Sequence, residues 1–479
     1  MRFIGRSSEL KELNNLLEKR TASLVVLQGR RRIGKSRLIE EFAKNRSFYI
    51  FSGIPPNPQT SMQSELDEFA RQLHVQTGLP EVKADDWSKL FILLAEKIRQ
   101  GRIIVLFDEI SWMGSKDPDF LGKLKNAWDI YFKKNPELIL VLCGSVSSWI
   151  EKNIVRNTGF MGRPSLYMNL TELSLGECNQ FWEKQGENIS AFEKFKVLAV
   201  TGGVPRYLEL INTKLSAEEN IRQLCFSKNG VLLHEFEHIF SDIFSNRSEI
   251  YKNIVIQLVK GSATAEELAN KVKLTRTGTF DDYLNDLVLG GFITRDYTWH
   301  IKTGKTSKLS KYRLKDNYVR FYLKYVLPNK NKIEKDRYKN MALTLLPNWE
   351  TIMGFQFENL VLNNQTALIK LLGLKPEEVI SDNPFFQRAT LRQEGCQIDY
   401  LIQTKFDTVY ICEIKFSRQP IGMSVIAEMR EKIKRLKTPG NISRRPVLIH
   451  VNGITSEVLE ADYFSHVINF CELLNSKEI

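Results

Sequence analysis

The sequence lacks closely spaced cysteines, long hydrophobic runs and a leader-like start. Its 6 cysteines lie far apart, with no Cys-x-x-Cys pair, which argues against a zinc site and against a disulfide framework. No uninterrupted apolar run reaches the roughly 18 residues of a membrane-spanning helix. The first residues lack the apolar core of a secretion signal. Together these absences predict a protein of the reducing cytoplasm that has no membrane partner.

The composition is that of a folded protein with a basic excess of charge. The 479 residues suggest about three domains of roughly 150 residues each. A hydrophobic content of 43% beside 26% charged residues is ordinary for a protein with real cores. The formal net charge of +12 permits a polyanionic partner such as nucleic acid, without proving one.

The segment 23–36, SLVVLQGRRRIGKS, predicts a ligand. A β-branched and aliphatic run ends at Gly29, and Gly34, Lys35 and Ser36 follow at the spacing G-x-x-x-x-G-K-S, which is typical of a loop that binds nucleoside triphosphates. Glycines let backbone N–H groups surround a phosphate, the lysine binds the β- and γ-phosphates, and the serine hydroxyl ligates Mg²⁺. Helical spacing follows, so a positive helix N-terminus would face the triphosphate. The residues predicted to contact the nucleotide here are Gly29, Arg32, Ile33, Gly34, Lys35, Ser36 and Arg37.

A second apolar strand, 102–109, ends in two carboxylates. Ligands of parallel sheets bind at the carboxyl ends of the strands. Asp108 is therefore predicted to hold Mg²⁺ and Glu109 to polarise the attacking water. The alternative is an acidic helix cap after a core strand. A third strand, 138–143, ends before Ser145, which either touches the γ-phosphate or the water, or belongs to an ordinary Gly-Ser turn.

Several segments together resemble the archaeal-type P-loop ATPases, which lie near the AAA+ and STAND signalling ATPases. They are FIGRSSELKELNNLL at 3–17, GRRRIGKS at 29–36, VLFDE at 105–109, CGS at 143–145 and TGGVPRYLELI at 201–211. The resemblance implies that Phe3, Ile4 and Arg6 lie near the adenine of ATP. It also implies that Pro205 and Arg206 belong to an element that closes over the nucleotide.

The same resemblance assigns roles to two further residues. Ser145 would be the sensor at the end of the third strand. Arg163 matches an arginine that acts in trans as a finger in a nucleotide-dependent homo-oligomer, although a solvated loop charge explains it equally well. The three arginines 30–32 belong to the pattern but also make an ordinary exposed loop tip, so no catalytic role is assigned to them.

The pattern between 246 and 325 predicts a winged helix-turn-helix. An amphipathic helix over 251–259 is followed by a short helix, in which Thr264 precedes Glu267 at the capping-box spacing. A third helix over 280–289 leads into a strand pair. The basic stretch 300–311 is predicted to be the wing tip. Its lysines and hydroxyls suit DNA phosphates, but such a module also serves as a lever packed against the nucleotide domain.

The C-terminal region predicts a hairpin of strands 397–403 and 409–416, with a turn centred near Phe406. This pairing brings Asp399 opposite Glu413. Two carboxylates facing each other should repel by a few tenths to about 1 kcal/mol, which a metal ion or Lys415 would relieve.

Asp399, Glu413 and Lys415 resemble the core of the PD-(D/E)xK nucleases. The resemblance assigns both carboxylates to Mg²⁺, Lys415 to the water or the phosphate, and Glu358 on the preceding helix to the first acidic position. The usual proline before the first aspartate is replaced by Ile398. The alternative is a surface hairpin in which the lysine bridges two acids.

The predicted fold class is α/β: a P-loop NTPase with a parallel sheet, a small helical lid, a winged helix-turn-helix and a C-terminal α/β restriction-endonuclease-like domain. The predicted domains are an ATPase core (1–170), a helical lid (171–245), a winged helix (246–325), a linker (326–345) and the nuclease-like domain (346–479). The predicted catalytic residues are Lys35, Glu109, Ser145, Glu413 and Lys415. The predicted metal ligands are Ser36, Asp108, Glu358, Asp399 and Glu413.

These assignments predict an ATP-binding and ATP-hydrolysing conformational switch that acts on nucleic acid, with DNA as a plausible partner, ATP and Mg²⁺ as cofactors and a possible Mg²⁺-dependent nuclease. The alternative is a STAND-like signalling or scaffold ATPase whose terminal domains bind protein and lack nuclease activity. A small-molecule kinase is disfavoured, because nothing beyond residue 240 resembles an acceptor pocket.

Overall fold

The structure is a computed structural model that describes residues 2–145, 147–182, 188–244, 248–338, 341–391 and 393–476. The chain divides into two compact units, one ending at Thr171 and the other beginning at Glu172. Among the helices described, none has the length and apolar character needed to cross a membrane.

The first unit is a five-stranded parallel sheet covered by helices. The strand order is β2-β3-β4-β1-β5, and every neighbouring pair is parallel. The strands are β1 (Ser23–Gly29), β2 (Ser47–Ser52), β3 (Ile103–Asp108), β4 (Ile139–Gly144) and β5 (Pro164–Leu170). The helices are α1 (Ser7–Asn15), α2 (Lys35–Phe42), α3 (Met62–Thr77), α4 (Trp87–Lys97), α5 (Ile110–Met113), α6 (Phe120–Ile130) and α7 (Ser147–Ile150).

Burial on both faces explains why the central strands have almost continuous apolar sequences. Residues of β1, β3 and β4 belong to two separate apolar clusters, one on each side of the sheet. The three strands predicted from apolar runs are confirmed, as is the helix that follows the glycine loop. The edge strands β2 and β5 were not predicted, because their half-exposed sequences lack that signal.

A buried carboxylate in this unit makes folding stability depend on pH. Glu65 on α3 is 2% exposed, and both its oxygens accept the Ile54 N–H at 3.2 Å. Burial raises the pKa of Glu65 from 4.5 to about 7. Between these two pKa values, the Glu65 carboxyl therefore stays protonated in the folded protein but is ionised in the unfolded chain. The resulting contribution to the free energy of unfolding is present at low pH and is lost as the pH rises through this range.

Glu65→Gln should remove that dependence. We expect the free energy of unfolding, measured by urea denaturation, to fall less in the variant than in the unsubstituted chain between about pH 5 and 8, by up to about 3 kcal/mol. Asp86→Asn is the control, because the hydrogen bond from Lys123 lowers the pKa of Asp86 and places any effect of that carboxyl below this range. Identical pH profiles for the Glu65 variant and the unsubstituted chain would refute the prediction.

The second unit begins with a helical region and a three-helix module that ends in a hairpin. The first helices are α8 (Leu175–Asn179), α9 (Ala191–Thr201), α10 (Pro205–Leu208), α11 (Ala217–Cys225) and α12 (Val231–Phe244). The hairpin module consists of α13 (Ser248–Leu258), α14 (Ala265–Lys271), α15 (Gly278–Leu289), β6 (Ile293–Trp299) and β7 (Thr306–Leu314). Its element order is the predicted one, and the capping box of Thr264 and Glu267 is confirmed.

The predicted extent of the basic loop is wrong in its second half. Strand β7 already begins at Thr306 and pairs with β6 in antiparallel register, so only 300–305 form the connection. The burial of Ser310 and Tyr312, with the half-buried Lys311 between them, follows the period of a strand, which the charge run obscured.

Beyond the hairpin the chain forms a second five-stranded sheet. The helices are α16 (Asn317–Phe321), α17 (Lys330–Glu334), α18 (Trp349–Leu362), α19 (Gln365–Leu371), α20 (Ser424–Arg435), α21 (Ser456–Glu460) and α22 (Phe470–Leu474). The strands are β8 (Val379–Gln387), β9 (Cys396–Thr404), β10 (Thr408–Lys415), β11 (Ser443–His450) and β12 (His466–Asn469). Their order is β12-β11-β10-β9-β8, antiparallel from β8 to β10 and parallel from β10 to β12.

Two features of this region bear on the predictions. The pairing of Cys412 with Tyr400 confirms a hairpin register centred on Phe406. Ile333 and Leu343, inside the segment predicted to be a linker, are buried in the same apolar cluster as α18.

The hairpin is fastened to the C-terminal sheet by its own apolar residues. Trp299 Nε1 donates to Gln403 Oε1 at 2.6 Å, and Gln403 Nε2 donates to the Ile301 carbonyl oxygen at 2.8 Å. Trp299 and Ile301 are buried in one cluster with residues of β9 and α20. Part of the predicted wing tip is therefore an internal contact within the second unit.

Candidate functional site

The glycine loop after β1 has the backbone geometry of a phosphate cradle. Gly29 has φ +151°, and a Cβ there would lie 2.5 Å from the Leu170 carbonyl oxygen, so only glycine fits. Arg32 and Gly34 have φ of 68° and 89°, which turns the chain into α2. Lys35 is 7% exposed, and its Nζ donates to the carbonyl oxygens of Gly29 at 2.9 Å and Arg30 at 3.1 Å. The loop thus holds a buried ammonium inside its own curve.

The two predicted magnesium ligands of this site are in direct contact. Ser36 Oγ donates to Asp108 Oδ2 at 2.7 Å, and the Glu109 N–H donates to Asp108 Oδ1 at 3.1 Å. A hydroxyl and a carboxylate are hard oxygen donors of the kind that Mg²⁺ takes beside phosphate oxygens and water. The residues present therefore fit the ion.

Glu109 and Ser145 are brought together although 36 residues separate them. Glu109 has φ 52° at the start of α5. Ser145 is 2% exposed; its Oγ donates to the two Glu109 carboxylate oxygens at 2.9 and 2.8 Å, and its N–H donates to one of them at 3.1 Å. The predicted water-polarising carboxylate is thus held by the predicted sensor.

The N-terminal segment is tied to the glycine loop through Arg6. Its side chain is buried, and Nη2 donates to the carbonyl oxygens of Ile33 at 3.2 Å and Thr171 at 2.6 Å. Phe3 and Ile4 are half-buried, and Phe3 packs on the cluster beneath β1. The segment predicted to lie near the adenine is therefore adjacent to the loop, while its contact with a base stays a prediction.

Of the remaining predicted nucleotide contacts, Arg37 and Arg206 are exposed and Pro205 is half-buried. Arg37 on α2 pairs with Glu40 at 3.2 Å. In the second unit, Pro205 occupies the first turn of α10, and Arg206 pairs with Glu209 at 3.3 Å. The role of Pro205 and Arg206 at the nucleotide stays a prediction.

Arg163 is engaged by Asp129 of the same chain. Its Nη2 donates to Asp129 Oδ2 at 2.7 Å and its Nε to both carboxylate oxygens at 3.2 Å. This hydrogen bonding lowers the pKa of Asp129 to about 2. A finger acting in trans would have to exchange this partner for a phosphate, so that role stays a prediction.

In the C-terminal sheet, the two predicted carboxylates share a cation. The Asp399 Oδ2 accepts the Ile414 N–H at 3.0 Å, which draws Asp399 toward β10. Lys432 Nζ contacts Glu413 Oε2 and lies 3.5 Å from Asp399 Oδ1. Burial and then the charge of Asp399 raise the pKa of Glu413. The pair therefore converges on one positive charge.

Helix α20 supplies two residues that sequence reasoning missed. Glu428 Oε2 accepts Lys415 Nζ at 2.6 Å, and Lys432 bridges the two acids. The sequence pattern could have revealed Lys432, because this residue lies three residues after the buried Met429 and seven after the buried Val425. A lysine on the apolar face of a helix indicates a buried acidic partner.

Glu358 on α18 interacts electrostatically with Asp399 of the acidic pair. Burial and then the charge of Asp399 raise the pKa of Glu358 to about 7. Within the described part of the chain, no group of three acidic, histidine or cysteine side chains is positioned to hold a metal. Glu358 as a third ligand stays a prediction.

A basic groove runs between the hairpin and the C-terminal sheet. It has a volume of about 850 Å³, and we call it the hairpin groove. Its cationic lining residues are Lys302, Lys308, Arg388 and Lys437, beside the buried rings of Trp299, Phe385 and Phe386.

Comparisons with known proteins support the interpretation of the N-terminal region as an ATPase domain. Residues 3–211 match the family described as an ATPase domain predominantly from Archaea. The chain is similar to an uncharacterized protein of Methanocaldococcus jannaschii, 25% identical over 357 residues, which are 74% of this chain and 75% of that protein. It is also similar to an uncharacterized ATP-binding protein of the same organism, 41% identical over 44 residues, 9% of this chain and 75% of that one.

A solved structure shares the fold. The Walker-type ATPase of Pyrococcus abyssi superposes with a TM-score of 0.51 at 16% identity, covering 67% of this chain and 96% of that one. This likeness shows the fold alone. Residues 3–211 are thus similar to an ATPase domain found predominantly in Archaea, and this similarity supports ATP binding and hydrolysis.

Proposed function

We propose that the chain is an ATP-driven conformational switch that acts on DNA and carries a Mg²⁺-dependent nuclease site in its C-terminal sheet. The observation that carries the DNA-directed part is the acidic pair Asp399 and Glu413, which face each other across the β9–β10 hairpin and share the Lys432 ammonium.

In the ATPase site, each polar side chain has a task. Lys35 would exchange the carbonyl oxygens of its own loop for phosphate oxygens of ATP. Ser36 and Asp108 would hold Mg²⁺, which neutralises charge on the β- and γ-phosphates when bound. Glu109 would orient the attacking water and accept its proton.

The Ser145–Glu109 contact supports a switch at this site. Ser145 directs both of its donors at Glu109, so a phosphate that competes for those donors would release the carboxylate toward water. Hydrolysis would restore the original contact. Such an exchange needs a difference of only a few kcal/mol between nucleotide states.

The C-terminal topology supports a nuclease of the PD-(D/E)xK type. Helix α18, the antiparallel strands β8 to β10, helix α20 and the parallel strand β11 follow in that order. Asp399 and Glu413 would hold Mg²⁺, since this ion commonly takes one or two carboxylates with phosphate oxygens and water. Lys415 would contact the scissile phosphate or the water, and the bound ion would supply Lewis acidity.

The hairpin groove supports contact with a nucleic acid. Of its four cations, Lys302 and Lys308 lie on the β6–β7 hairpin, whereas Arg388 follows β8 and Lys437 follows α20. Phosphate contacts of this kind provide salt-dependent binding without sequence preference.

Cleavage of plasmid and single-stranded DNA with Mg²⁺ or Mn²⁺ tests the nuclease. We expect Glu413→Gln and Lys415→Ala to lower the cleavage rate at least about 100-fold, as loss of an acid–base or charge-stabilising group does. Glu431→Gln and Lys434→Ala, which lie on helix α20 and outside the acidic pair, are the matched controls and should cleave normally. Absence of cleavage by the unsubstituted chain under every nucleotide condition would refute the activity.

A STAND-like signalling or scaffold ATPase is the second candidate, and two observations favour it. Helix α15, which would enter the DNA groove, carries Asp281, Asp282 and Asp286. In addition, Trp299 and Ile301 of the hairpin are buried in an internal contact. A DNA gel-shift assay with and without ATP separates the candidates: a steep loss of affinity with salt supports action on DNA, and no shift at low salt supports the scaffold.

A further inference from the structure

A cavity of about 270 Å³ lies where the hairpin module meets the C-terminal domain, entirely inside the second unit. We call it the seam cavity. The hairpin module contributes Lys260, Ser262 and Lys311, helix α16 contributes Arg320, and the C-terminal domain contributes Glu358 and Gln397. No part of the predicted ATPase or nuclease chemistry accounts for this cluster of cations.

The seam cavity carries an excess of positive charge. Four cations line it, Lys260, Lys311, Arg313 and Arg320, beside one carboxylate, Glu358. Asp296 neutralises Arg313 by accepting its Nε–H at 2.9 Å. Among the described residues, neither Lys260 nor Lys311 has a carboxylate within ion-pairing distance, and the Lys311 ammonium lies 5.0 Å from the Phe386 ring centroid. The remaining charge is available to an anion.

Arg320 is held in place before any ligand arrives. It is 1% exposed, its Nη2 donates to the Leu314 carbonyl oxygen at 2.8 Å, and its guanidinium lies 5.1 Å from the Phe355 ring centroid. Its Nε–H is buried and has no acceptor among the residues described. A buried cation with an unused donor is unfavourable until an anion or another acceptor compensates it.

We propose that the seam cavity binds a phosphate group of a nucleic-acid strand. The proposal rests on the proposed action on DNA and adds a second anchoring point to it. Phosphate is compact and multiply charged, and lysine and arginine are the side chains that bind it. The cavity is smaller than the roughly 300 Å³ at which pockets for whole small molecules begin, so it suits one phosphate with part of its sugar.

The position of the cavity relative to the acidic pair supports a strand as the source of that phosphate. Gln397 lines the cavity and lies two residues before Asp399 on β9, so the cavity adjoins the segment of the strand that carries Asp399. A phosphate anchored here would hold a strand beside Asp399 and Glu413.

Pyrophosphate is the first probe, used with the full chain carrying Lys35→Ala so that the ATPase loop does not bind it. The seam variant adds Lys260→Gln and Lys311→Gln, and the control variant adds Lys405→Gln and Lys434→Gln, two exposed lysines outside the cavity. By calorimetry, we expect the seam variant to bind at least about tenfold more weakly and the control variant to stay within about twofold. No pyrophosphate binding in the Lys35→Ala chain, or equal weakening by both variants, would overturn the site.

Single-stranded DNA is the second probe and identifies the source of the phosphate. In fluorescence anisotropy, the seam variant should reduce the slope of log affinity against log salt by about one unit per lost phosphate contact. An unchanged slope with lost pyrophosphate binding would overturn the strand as the ligand. Absence of DNA binding by the chain without the seam substitutions, with pyrophosphate binding present, would do the same and would also refute the proposed action on DNA.

Discussion

A chain carrying Lys35→Ala should bind ATP at least roughly 100-fold more weakly than the unsubstituted protein, a cost of about 3 kcal/mol or more. The Lys35 ammonium is 7% exposed and lies among the carbonyl oxygens of its own loop. No neighbouring lysine occupies that position, since Lys44 at the end of α2 is exposed. Calorimetry with ATP and Mg²⁺ measures the change.

Lys44→Ala is the matched control for this prediction. It removes the same charge from the end of the same helix, where Lys44 pairs with Glu41 at 3.5 Å, and it should leave ATP binding unchanged. Equal ATP affinity in the Lys35→Ala chain and the unsubstituted chain would show that the loop lysine does not contribute to ATP binding.

Glu109→Gln should preserve ATP binding and lower the rate of hydrolysis by about 10²- to 10⁴-fold, the usual contribution of a general base. The amide keeps the shape of the side chain and still accepts a hydrogen bond from Ser145, but it does not take a proton from water. Single-turnover hydrolysis measures the loss, and trapped ATP measured by filter binding shows that the nucleotide remains bound.

The control for the glutamine variant is Glu137→Gln, before β4, where the carboxylate pairs with the exposed Arg102 at 3.3 Å. It should hydrolyse ATP at the unsubstituted rate. Equal turnover in the Glu109→Gln chain and the unsubstituted chain would assign the water-polarising role to another group.

Much of the ATPase site could be predicted because each of its parts lies on a short local signal. An apolar strand, a glycine loop and a helix are contiguous in 23–43, and Asp108 and Glu109 end a second apolar strand. The contact between Glu109 and Ser145 could not be predicted from either local segment. It depends on β3 and β4 lying side by side, and nothing in either segment alone determines the order of strands in a sheet.

The C-terminal site was predicted in its register but not in its surroundings. Period-2 alternation and the turn near Phe406 were enough to place Asp399 opposite Glu413. The ammonium between them comes from Lys432, 19 residues farther along, on a helix that packs on the sheet through Val425 and Met429. Tertiary packing determines that approach, so a hairpin considered alone suggested Lys415 as the bridge.

The basic hairpin shows how charge obscures packing. Its lysines favoured an exposed loop, whereas Trp299 and Ile301, directly before the first of them, are buried. Apolar residues beside a charged run were the available sign of an internal contact.

The central claim is that the nucleotide state controls action on DNA. Its most direct test is the affinity of the Glu109→Gln chain for DNA, measured by fluorescence anisotropy with ATP and Mg²⁺, with ADP, and without nucleotide, at one salt concentration. We expect the DNA affinity to differ by at least about tenfold between the ATP state and the nucleotide-free state, a coupling free energy of about 1.4 kcal/mol. Equal affinity in all three states would contradict it.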